Sequence, residues 1–599
     1  MQIPANTTAV RRLPTLAADL LLVHPPAFFD FRNCRNIYFP FLGTSGDVPI
    51  TPLYEYFPTG FKMFQRYLSD HGHSVEIINL STLLLRYPLV DFDAVVDALD
   101  VRLLGIDLHW MIHVQGSLAV AERIKKRHRD IRIVFGGISS TYYAEELIAY
   151  PFIDMVLRGY DTLAPMDKLL QEIKAGRDFC AVPNLTWKSG DGDIHANHYT
   201  HRPLTYSVGV DWSSLNLHQI NLSLPILEFM STQNAGCAYN CGWCGGSKEA
   251  FRRVFGPGRT MAPKRPAEVR WEFDSIAKVP QRNLYHFYSV GSYNESRQGM
   301  DTFLDLVARA GVGSISYEQF YLTPEPTLRR MVEANSRTSI TLSPESHDQR
   351  ISKLSGRGVY SNLELERWIA RAIELGIHNV DVWYFVGMPE QDERSVMDTV
   401  DYCERLLNLF RSQRVNPLIC PMIPYLDPGS TFFTDPDPHG YRVFYRTVEE
   451  HRRSAERASL IHRINYETRW LRREELVSVG FRAVRRLMQA KAAAGALPGS
   501  WVKTYNNKID DALLMIQAVH RADCIGDARE RARALEAMGD EIQQRNDAIL
   551  YHGVANQAFL VNRQIGNRWF DEMGWKPEAL EAIAAASPPG QALSDQLVK

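Results

Sequence analysis

The segment NAGCAYNCGWCGGS, residues 234–247, places three cysteines in a glycine-rich loop. Their spacing is Cys237-x3-Cys241-x2-Cys244. The loop directly follows ILEFMST (226–232), a short apolar run typical of a buried strand. In α/β barrels, functional loops follow the carboxyl ends of the strands. The segment therefore predicts that three thiols lie at the functional end of a strand.

Three kinds of site use such cysteines. A structural zinc site needs four ligands, and the next histidine downstream, His286, lies about forty residues away on a predicted strand. A redox pair would use Cys241-Gly242-Trp243-Cys244 and leave Cys237 unexplained. Three thiolates on one loop can instead bind three irons of a four-iron cluster. General ligand rules leave these alternatives open.

The first part of the chain alternates strand-like and helical segments. This alternation predicts an open, doubly wound parallel sheet, with ligands bound at the carboxyl ends of its strands. The predicted strands are DLLLVH (19–24), SVEIINL (74–80), LLGIDLHW (103–110), IRIVFGG (131–137) and MVLRG (155–159).

A second alternating series begins at the strand before the cysteine loop. Six strand–helix units predict a partial (β/α)6 barrel, so the whole chain is predicted to be a multidomain α/β protein. The strands after the first are NLYHFYSV (283–290), SISYEQFY (314–321), TSITLS (338–343), VDVWYFVG (380–387) and LICPMIP (418–424). The predicted divisions are a sheet domain over 1–183, a hairpin and linker over 184–222, the barrel over 223–465 and a helical domain over 466–599.

Composition restricts the classes of partner. The 599 residues carry a formal net charge of -2, which gives no electrostatic case for nucleic acid or anionic lipid. No apolar run approaches the roughly 20 residues of a membrane span, and no secretory signal opens the sequence. We expect a cytoplasmic protein with neither a nucleic-acid nor a membrane partner.

Five further cysteines are scattered singly, which is no disulfide framework. We predict that they are buried, small apolar side chains. They are Cys34, Cys180, Cys403, Cys420 and Cys524.

The cysteine loop resembles the radical S-adenosylmethionine (SAM) superfamily. Its signature is C-x3-C-x2-C after the first barrel strand, with an aromatic residue before the third cysteine, here Trp243. The resemblance implies that Cys237, Cys241 and Cys244 bind a [4Fe-4S] cluster whose open iron chelates SAM.

Other stretches of the barrel carry the same resemblance. In LSPES (342–346) it implies that Ser343, Glu345 and Ser346 contact the nucleoside of SAM. VGMPEQ (386–391) and LDPGS (426–430) are similar to turns that follow the fifth and sixth strands. One stretch departs from the pattern, because YSVGSYNES (288–296) stands where the superfamily has a glycine-glycine-acid motif. This departure predicts an unusual mode of SAM binding.

A doubly wound domain ahead of such a barrel resembles the cobalamin-dependent branch of the superfamily. The resemblance implies that cobalamin lies over the strand ends and the start of the first helix. The residues it implicates are Pro58, Gly60, Leu108, His109, Trp110, Gly136, Gly137 and Gly159.

The lower face of the cobalt is a second departure. Cobalamin domains that supply a histidine ligand carry Asp-x-His-x-x-Gly after the first strand, where this chain has His24-Pro25-Pro26-Ala27. Asp107-Leu108-His109 resembles the start of that motif but follows the third strand and lacks the glycine. We therefore predict no protein imidazole on cobalt. A histidine at position 109 is more typical of a packed or capping residue, because metal ligands come in clusters.

The overall layout resembles the cobalamin-dependent radical SAM methyltransferases, and within them those that methylate tryptophan at C2 in thiopeptide antibiotic biosynthesis. The resemblance implies L-tryptophan as substrate, cobalamin as the methyl carrier and an external electron donor. A general base near the indole N–H would assist the reaction. Tyr317 and Glu318 are the candidates, and strand alternation allows only one of them to face the barrel interior.

Other functions remain open from the sequence. Within the class, the chain could methylate an unactivated sp3 carbon or a phosphinate by a 5'-deoxyadenosyl radical. It could also be a cobalamin-dependent ring-forming enzyme. Outside enzymes, it could be a cobalamin sensor whose cluster is structural.

Overall fold

A computed structural model gives the fold of the chain. It describes residues 15–40, 59–86, 90–205, 208–214, 228–258, 260–280, 282–290, 297–357, 360–411, 414–420 and 425–550. The predicted cofactor residue Pro58 and positions 291–296 of the departing YSVGSYNES stretch lie outside these ranges. Across the described residues, no helix has both the length and the apolar character needed to cross a membrane.

The predicted N-terminal parallel sheet is confirmed. Its order is β2-β1-β3-β4-β5-β6-β7, with the first five strands parallel. The strands are β1 (Leu16–His24), β2 (Val75–Asn79), β3 (Leu99–Asp107), β4 (Arg132–Gly136), β5 (Met155–Leu157), β6 (Leu185–Lys188) and β7 (Ile194–Ala196). The helices are α1 (Thr59–Asp70), α2 (Leu80–Arg86), α3 (Phe92–Asp97), α4 (Val114–Arg127), α5 (Ile138–Tyr142), α6 (Ala144–Ile148) and α7 (Leu163–Ala175).

The burial of this sheet explains why its strands could be predicted from the sequence. Leu20, Leu21, Leu22 and Val23 of β1 are all buried, since helices cover both faces of the sheet. The hairpin predicted over 184–198 also forms, but it pairs antiparallel with β5 and extends the N-terminal sheet. The domain divisions themselves stay predictions.

The second sheet has six parallel strands in the order β15-β14-β13-β12-β11-β8, as the partial barrel requires. They are β8 (Glu228–Thr232), β11 (His286–Val290), β12 (Ser314–Gln319), β13 (Thr338–Glu345), β14 (Asn379–Phe385) and β15 (Val415–Cys420). A small antiparallel ladder of β9 (Asn234–Gly236) and β10 (Met261–Pro263) leads into the cysteine loop. The helices are α8 (Lys248–Phe255), α9 (Pro266–Ala277), α10 (Arg297–Ala310), α11 (Glu325–Ala334), α12 (Gln349–Leu354), α13 (Asn362–Glu374) and α14 (Glu393–Leu409).

Burial alternates strictly along β14. Val380, Val382 and Tyr384 are fully buried and face the helices, whereas the residues between them are only half-buried. Successive side chains of a strand point to opposite faces. The interior face of the barrel, to which Trp383 and Phe385 belong, is therefore lined by accessible side chains.

The described residues from 425 to 550 are mostly helical, and residues 551–599 of the predicted helical domain lie outside the described ranges. Residues 425–550 comprise α15 (Thr431–Thr434), α16 (Val448–Ala455), α17 (Leu460–Arg463), α18 (Arg473–Ala493), α19 (Gly499–Asp523), α20 (Ala528–Ala537), α21 (Gly539–Leu550) and a ladder of β16 (Tyr441–Val443) with β17 (Tyr466–Thr468). The side chain of Asn546 in α21 binds the backbone beyond β1: Phe39 N donates to it at 2.9 Å, and it donates to the carbonyls of Cys34 at 3.2 Å and Ile37 at 2.9 Å.

The scattered cysteines correct one expectation. Cys34 and Cys403 are buried, as predicted, and Cys420 is half-buried. The prediction is wrong for Cys180 and Cys524, which are exposed.

Candidate active site

Each sulfur of the cysteine loop accepts a hydrogen bond from a nitrogen. The backbone curls so that Tyr239 N donates to Cys237 at 3.4 Å, Arg357 Nε to Cys241 at 3.0 Å and Gly246 N to Cys244 at 3.4 Å. Hydrogen bonds to sulfur are a general means by which proteins tune iron–sulfur clusters. The loop therefore suits three thiolate ligands better than three inert thiols.

Electrostatics show what ligand binding must overcome. Burial raises the pKa of Cys241 to about 12 and also raises the pKa values of Cys237 and Cys244. Without a metal the thiols hold their protons at neutral pH, so binding a cluster releases protons. Among the described residues, the sulfur atoms of these three cysteines do not all lie within 4.8 Å of one another. The loop thus fits a multi-iron cluster better than a single zinc ion.

A buried ion pair supports the loop from beneath. Arg357 Nε lies 3.2 Å from Glu345 Oε1, and the same carboxylate oxygen accepts from Trp243 Nε1 at 3.3 Å. The guanidinium also lies over the ring of Phe320, 3.7 Å from its centroid. Glu345 adopts φ +69°, a conformation rare for residues other than glycine. The side chain of Glu345 is therefore held by Trp243 of the cysteine loop and by Arg357, which also binds Cys241.

This arrangement changes the expectation for the LSPES stretch. Glu345 is directed to Trp243 and Arg357, and Ser346 Oγ accepts from Asp348 N at 3.2 Å. Both side chains therefore have protein partners. Contact with a nucleoside stays a prediction that fits Ser343 best among the three.

The turn after the sixth strand braces the other side of the loop. Asp427 Oδ2 accepts from Gly245 N at 2.8 Å, and Asp427 N donates to Trp243 O at 3.1 Å. Phe432 N donates to Gly242 O at 2.8 Å, and a Cβ at Gly242 would lie 2.3 Å from the Phe432 ring. Position 242 therefore requires glycine.

A cleft of about 310 Å³ opens at the carboxyl ends of β3, β4 and β5. The predicted cofactor residues that line it are Gly60, His109, Gly136, Gly137 and Gly159. Leu108 is fully buried, and Trp110 is 42% exposed and does not line the cleft. Gly137 has φ +110°, and a Cβ there would lie 2.9 Å from the backbone of Leu108 and of His109. Only glycine lets β4 pass this close to the turn after β3.

A cluster of histidines surrounds Asp107 at the edge of this cleft. Its carboxylate lies 3.0 Å from His24 Nδ1 and 2.6 Å from His109 Nδ1. Burial opposes the charged carboxylate, but these two imidazoles hold the pKa of Asp107 far below its usual range. His113 packs edge-on against His24, with ring centroids 5.0 Å apart. His109 is thus oriented by a carboxylate, in the manner of histidines that bind metals.

The cleft and the cysteine loop lie on the same interface. Tyr160, in the wall of the cleft, packs against Phe251 and Phe255 of α8, with centroids 5.0 and 5.3 Å apart. Burial raises the pKa of Asp427 to about 6, while nearby His109 lowers it. Residues on both sides of the interface therefore interact.

The two candidate bases of β12 point in opposite directions. Tyr317 is fully buried and packs against Phe303 of α10, at 6.3 Å between centroids, on the helix side of the sheet. Glu318 therefore faces the interior, and it lies near enough to raise the pKa of Cys237. Tyr317 cannot reach a substrate in the barrel, which leaves Glu318 as the candidate.

Comparison with protein families decides the nature of the N-terminal domain. Residues 47–167 match the family described as B12 binding domain. They include the first turn of α1 and three of the four strands whose residues line the cleft. The chain contains a B12-binding domain. Gly60, Gly136, Gly137 and Gly159 of the cleft, together with His109, lie within the matched residues.

Two solved structures resemble about seven tenths of the chain. Two structures of the radical SAM methyltransferase TsrM from Kitasatospora setae each superpose with a TM-score of 0.50 at 15% identity. One, with tryptophan and a SAM analogue, covers 71% of this chain and 78% of its own; the other, with cobalamin and a [4Fe-4S] cluster, covers 72% and 81%. The cobalamin-dependent radical SAM enzyme OxsB covers 98% of this chain and 82% of its own, at TM-score 0.47 and 11% identity. No curated protein matches the sequence.

These likenesses establish the fold. The B12-binding domain followed by a six-stranded parallel sheet confirms the predicted architecture, and the TsrM structures share its fold. The cofactors named for the two TsrM structures, namely cobalamin, a [4Fe-4S] cluster and an analogue of SAM, correspond to the set that the sequence implies.

Sequence reasoning missed Arg357 and Asp427. Arg357 lies 116 positions after Cys241, in a loop without a recognisable pattern. Asp427 belongs to the LDPGS turn, in which the proline and glycine form a recognisable pattern but the carboxylate does not. In the sequence His24 is only part of a departure from a motif. In the structure its imidazole binds Asp107 at the carboxyl ends of β1 and β3.

Proposed function

We propose that this protein is a cobalamin-dependent radical SAM methyltransferase that moves a methyl group from SAM to a carbon of a small substrate. The observation that carries the proposal is the juxtaposition of the two sites. Tyr160 in the cleft packs against Phe251 of α8, the helix that follows the cysteine loop. The charge of His109 at the cleft lowers the pKa of Asp427, whose carboxylate accepts from Gly245 N of the loop. A methyl relay needs its donor and its carrier to be held against each other.

The residues that would hold the cofactors are already oriented. Cys237, Cys241 and Cys244 would bind the cluster, and the cleft beside Gly137 would receive cobalamin. When bound, the cluster offers an open iron for SAM, and cobalamin offers a cobalt centre that accepts and releases a methyl group. The chain's own contribution is position: Arg357 and Asp427 fix the loop on its two sides.

We propose L-tryptophan as the substrate and indole C2 as the methylated carbon. The accessible interior face of β14 includes Trp383 and Phe385, and aromatic side chains favour stacking against an indole. The TsrM structure that resembles this chain has tryptophan as its substrate. The net reaction joins the methyl carbon of SAM to C2, leaves S-adenosylhomocysteine and releases the C2 proton.

Glu318 is the proposed general base. It faces the barrel interior beside Cys237, so its carboxylate can accept a proton from the indole during attack. An external electron donor is required to keep cobalt in its nucleophilic, reduced state. Polar methylation of a nucleophilic carbon needs no substrate radical, so we expect SAM to be consumed without stoichiometric 5'-deoxyadenosine.

The test uses the full chain reconstituted with iron, sulfide and cobalamin. Methyl-labelled SAM and L-tryptophan are expected to give labelled 2-methyltryptophan. Stoichiometric 5'-deoxyadenosine would overturn the polar mechanism in favour of radical methylation or ring formation. Turnover of SAM without a tryptophan product would overturn the substrate. Binding of cobalamin with no turnover of any kind would indicate a sensor.

A further inference from the structure

A second group of possible metal ligands lies in the helical part of the chain. Nε2 of His462 is 3.6 Å from Sγ of Cys524, and Nε2 of His520 is 3.5 Å from the same sulfur. Oε1 of Glu474 lies 3.4 Å from Nε2 of His520. These residues belong to neither the cluster loop nor the B12-binding domain.

We propose that Cys524, His462 and His520, whose ligand atoms all lie within 4.8 Å of one another, form a structural zinc site. Glu474 lies outside that group and would complete the four ligands by turning its exposed side chain inward. In a tetrahedral site with Zn–S near 2.3 Å and Zn–N or Zn–O near 2.0–2.1 Å, sulfur and nitrogen lie about 3.6 Å apart. Nitrogen and oxygen then lie about 3.4 Å apart. The three distances in the structure agree with these values to within 0.1 Å.

The outer ring nitrogen of each histidine faces an oxygen atom, and for His520 the contact is a hydrogen bond. Nδ1 of His462 lies 3.5 Å from Oδ2 of Asp523, and Nδ1 of His520 lies 3.1 Å from Oγ of Ser459. Metal-binding histidines typically use their second ring nitrogen in this way, which fixes the ring and leaves the other nitrogen for the metal. The two rings meet at an angle of 81°. Nδ1 of His520 lies 3.9 Å from Sγ of Cys524, so the sulfur faces the edge of this ring, and the ring would turn to direct Nε2 to the ion.

The charges balance. One thiolate, one carboxylate and two neutral imidazoles carry two negative charges, which a divalent ion neutralises. The neighbouring Arg457 is already paired with Asp523 at 3.1 Å. Cys524 is exposed, which gives an ion a route of entry.

The ligands come from three helices. His462 lies in α17, Glu474 in the first turn of α18, and His520 with Cys524 at the end of α19, one turn apart. A zinc ion here would tie together the ends of three helices that pack against one another. Its role would be structural, because four protein ligands leave no open coordination position.

The test measures zinc bound by the full chain. The purified protein is depleted of metal and titrated with Zn²⁺ against a colorimetric chelator. We expect one tight site, weakened at least 100-fold in Cys524→Ser and His520→Gln. Asp523→Asn and Ser459→Ala should weaken it 10- to 100-fold, as outer partners of zinc histidines do.

Two controls separate this site from the cluster loop. The triple variant Cys237→Ala, Cys241→Ala, Cys244→Ala should keep the site, and so should Cys180→Ser, which removes another exposed cysteine. Loss of the tight zinc in the triple variant would overturn the proposal, as would unchanged affinity in Cys524→Ser. The result does not depend on methyl transfer, so it can fail or succeed independently of the proposed function.

Spectroscopy provides a readout that does not rely on a folded variant. X-ray absorption at the zinc edge of the wild-type protein is expected to show one sulfur near 2.3 Å and three nitrogen or oxygen ligands near 2.0–2.1 Å. A shell with two or more sulfurs, or with none, would refute the assignment. Iron and cobalt in the same sample do not contribute at that edge.

Discussion

Arg357 donates from Nε to the Sγ of Cys241 over 3.0 Å. The same nitrogen lies 3.2 Å from Oε1 of the buried Glu345. One guanidinium therefore contacts both a proposed cluster ligand and a buried carboxylate. Removing one partner of a buried ion pair leaves an uncompensated charge, which costs about 3–5 kcal/mol.

We therefore expect Arg357→Ala to destabilise the metal-free protein by about that amount. Adding Glu345→Gln should recover part of the loss, since the remaining partner is then neutral. Thermal unfolding of the two single variants and the double variant measures the coupling. Purely additive losses would show that the pair contributes nothing together.

The cysteine loop predicts a simple metal analysis. Replacement of any one of Cys237, Cys241 or Cys244 by Ala should reduce bound iron and the cluster absorbance at least tenfold, because three ligands are the minimum for the site. Cys180→Ser is the matched control and should retain both. Full iron content in any loop variant would contradict the cluster assignment.

The close passage at Gly137 predicts a selective loss of cobalamin. In Gly137→Ala, the new Cβ would meet backbone atoms at 2.9 Å at a φ of +110°, so the strand end must move and the cleft must change shape. We expect cobalamin affinity to fall at least tenfold, as measured by equilibrium dialysis. Gly190→Ala, where a Cβ meets no atom within 4 Å, should bind as the wild type does.

The lower face of cobalt can be read directly. Because the chain lacks the motif of histidine-ligated domains, we expect the electron paramagnetic resonance spectrum of bound cob(II)alamin to show no nitrogen coupling. His109→Ala should leave that spectrum unchanged. Nitrogen coupling that disappears in His109→Ala would instead make His109 an axial ligand, for which its bond to Asp107 would prepare it.

Asp427 predicts a dependence of stability on pH. Burial raises its pKa to about 6 from 3.8, so between these values the folded state binds more protons than the unfolded state. Stability should therefore fall as pH rises from about 4 to 6, by no more than about 3 kcal/mol. Asp427→Asn keeps an acceptor for Gly245 N and should lose this part of the pH dependence. Chemical denaturation across this range provides the measurement.

Most of the fold could be predicted because its strands are buried on one or both faces. Continuous apolar runs such as Leu20 to Val23 predict buried strands. The cysteine loop is recognised by the spacing of its three cysteines. The direction of Tyr317 and Glu318 could be narrowed to one of two by alternation, but only packing against Phe303 decides which.

What the sequence hid are partners brought together from distant loops. Nothing near Arg357 indicates that it reaches Cys241, because the contact depends on the return of the chain after β13. Cys524 illustrates the opposite error. A cysteine alone in the sequence predicts a small core residue, but the packing of three helices places Cys524 beside two imidazoles.

The hydrogen bonds of Asn546 bear on how this protein can be divided. They join the last described helix to the chain just beyond the first strand, 512 positions away from Cys34. These hydrogen bonds make the conformation of the segment after β1 depend on α21, near the other end of the described residues. A shortened chain that ends before α21 would therefore lose the hydrogen bonds that hold the segment after β1, the first strand of the N-terminal sheet.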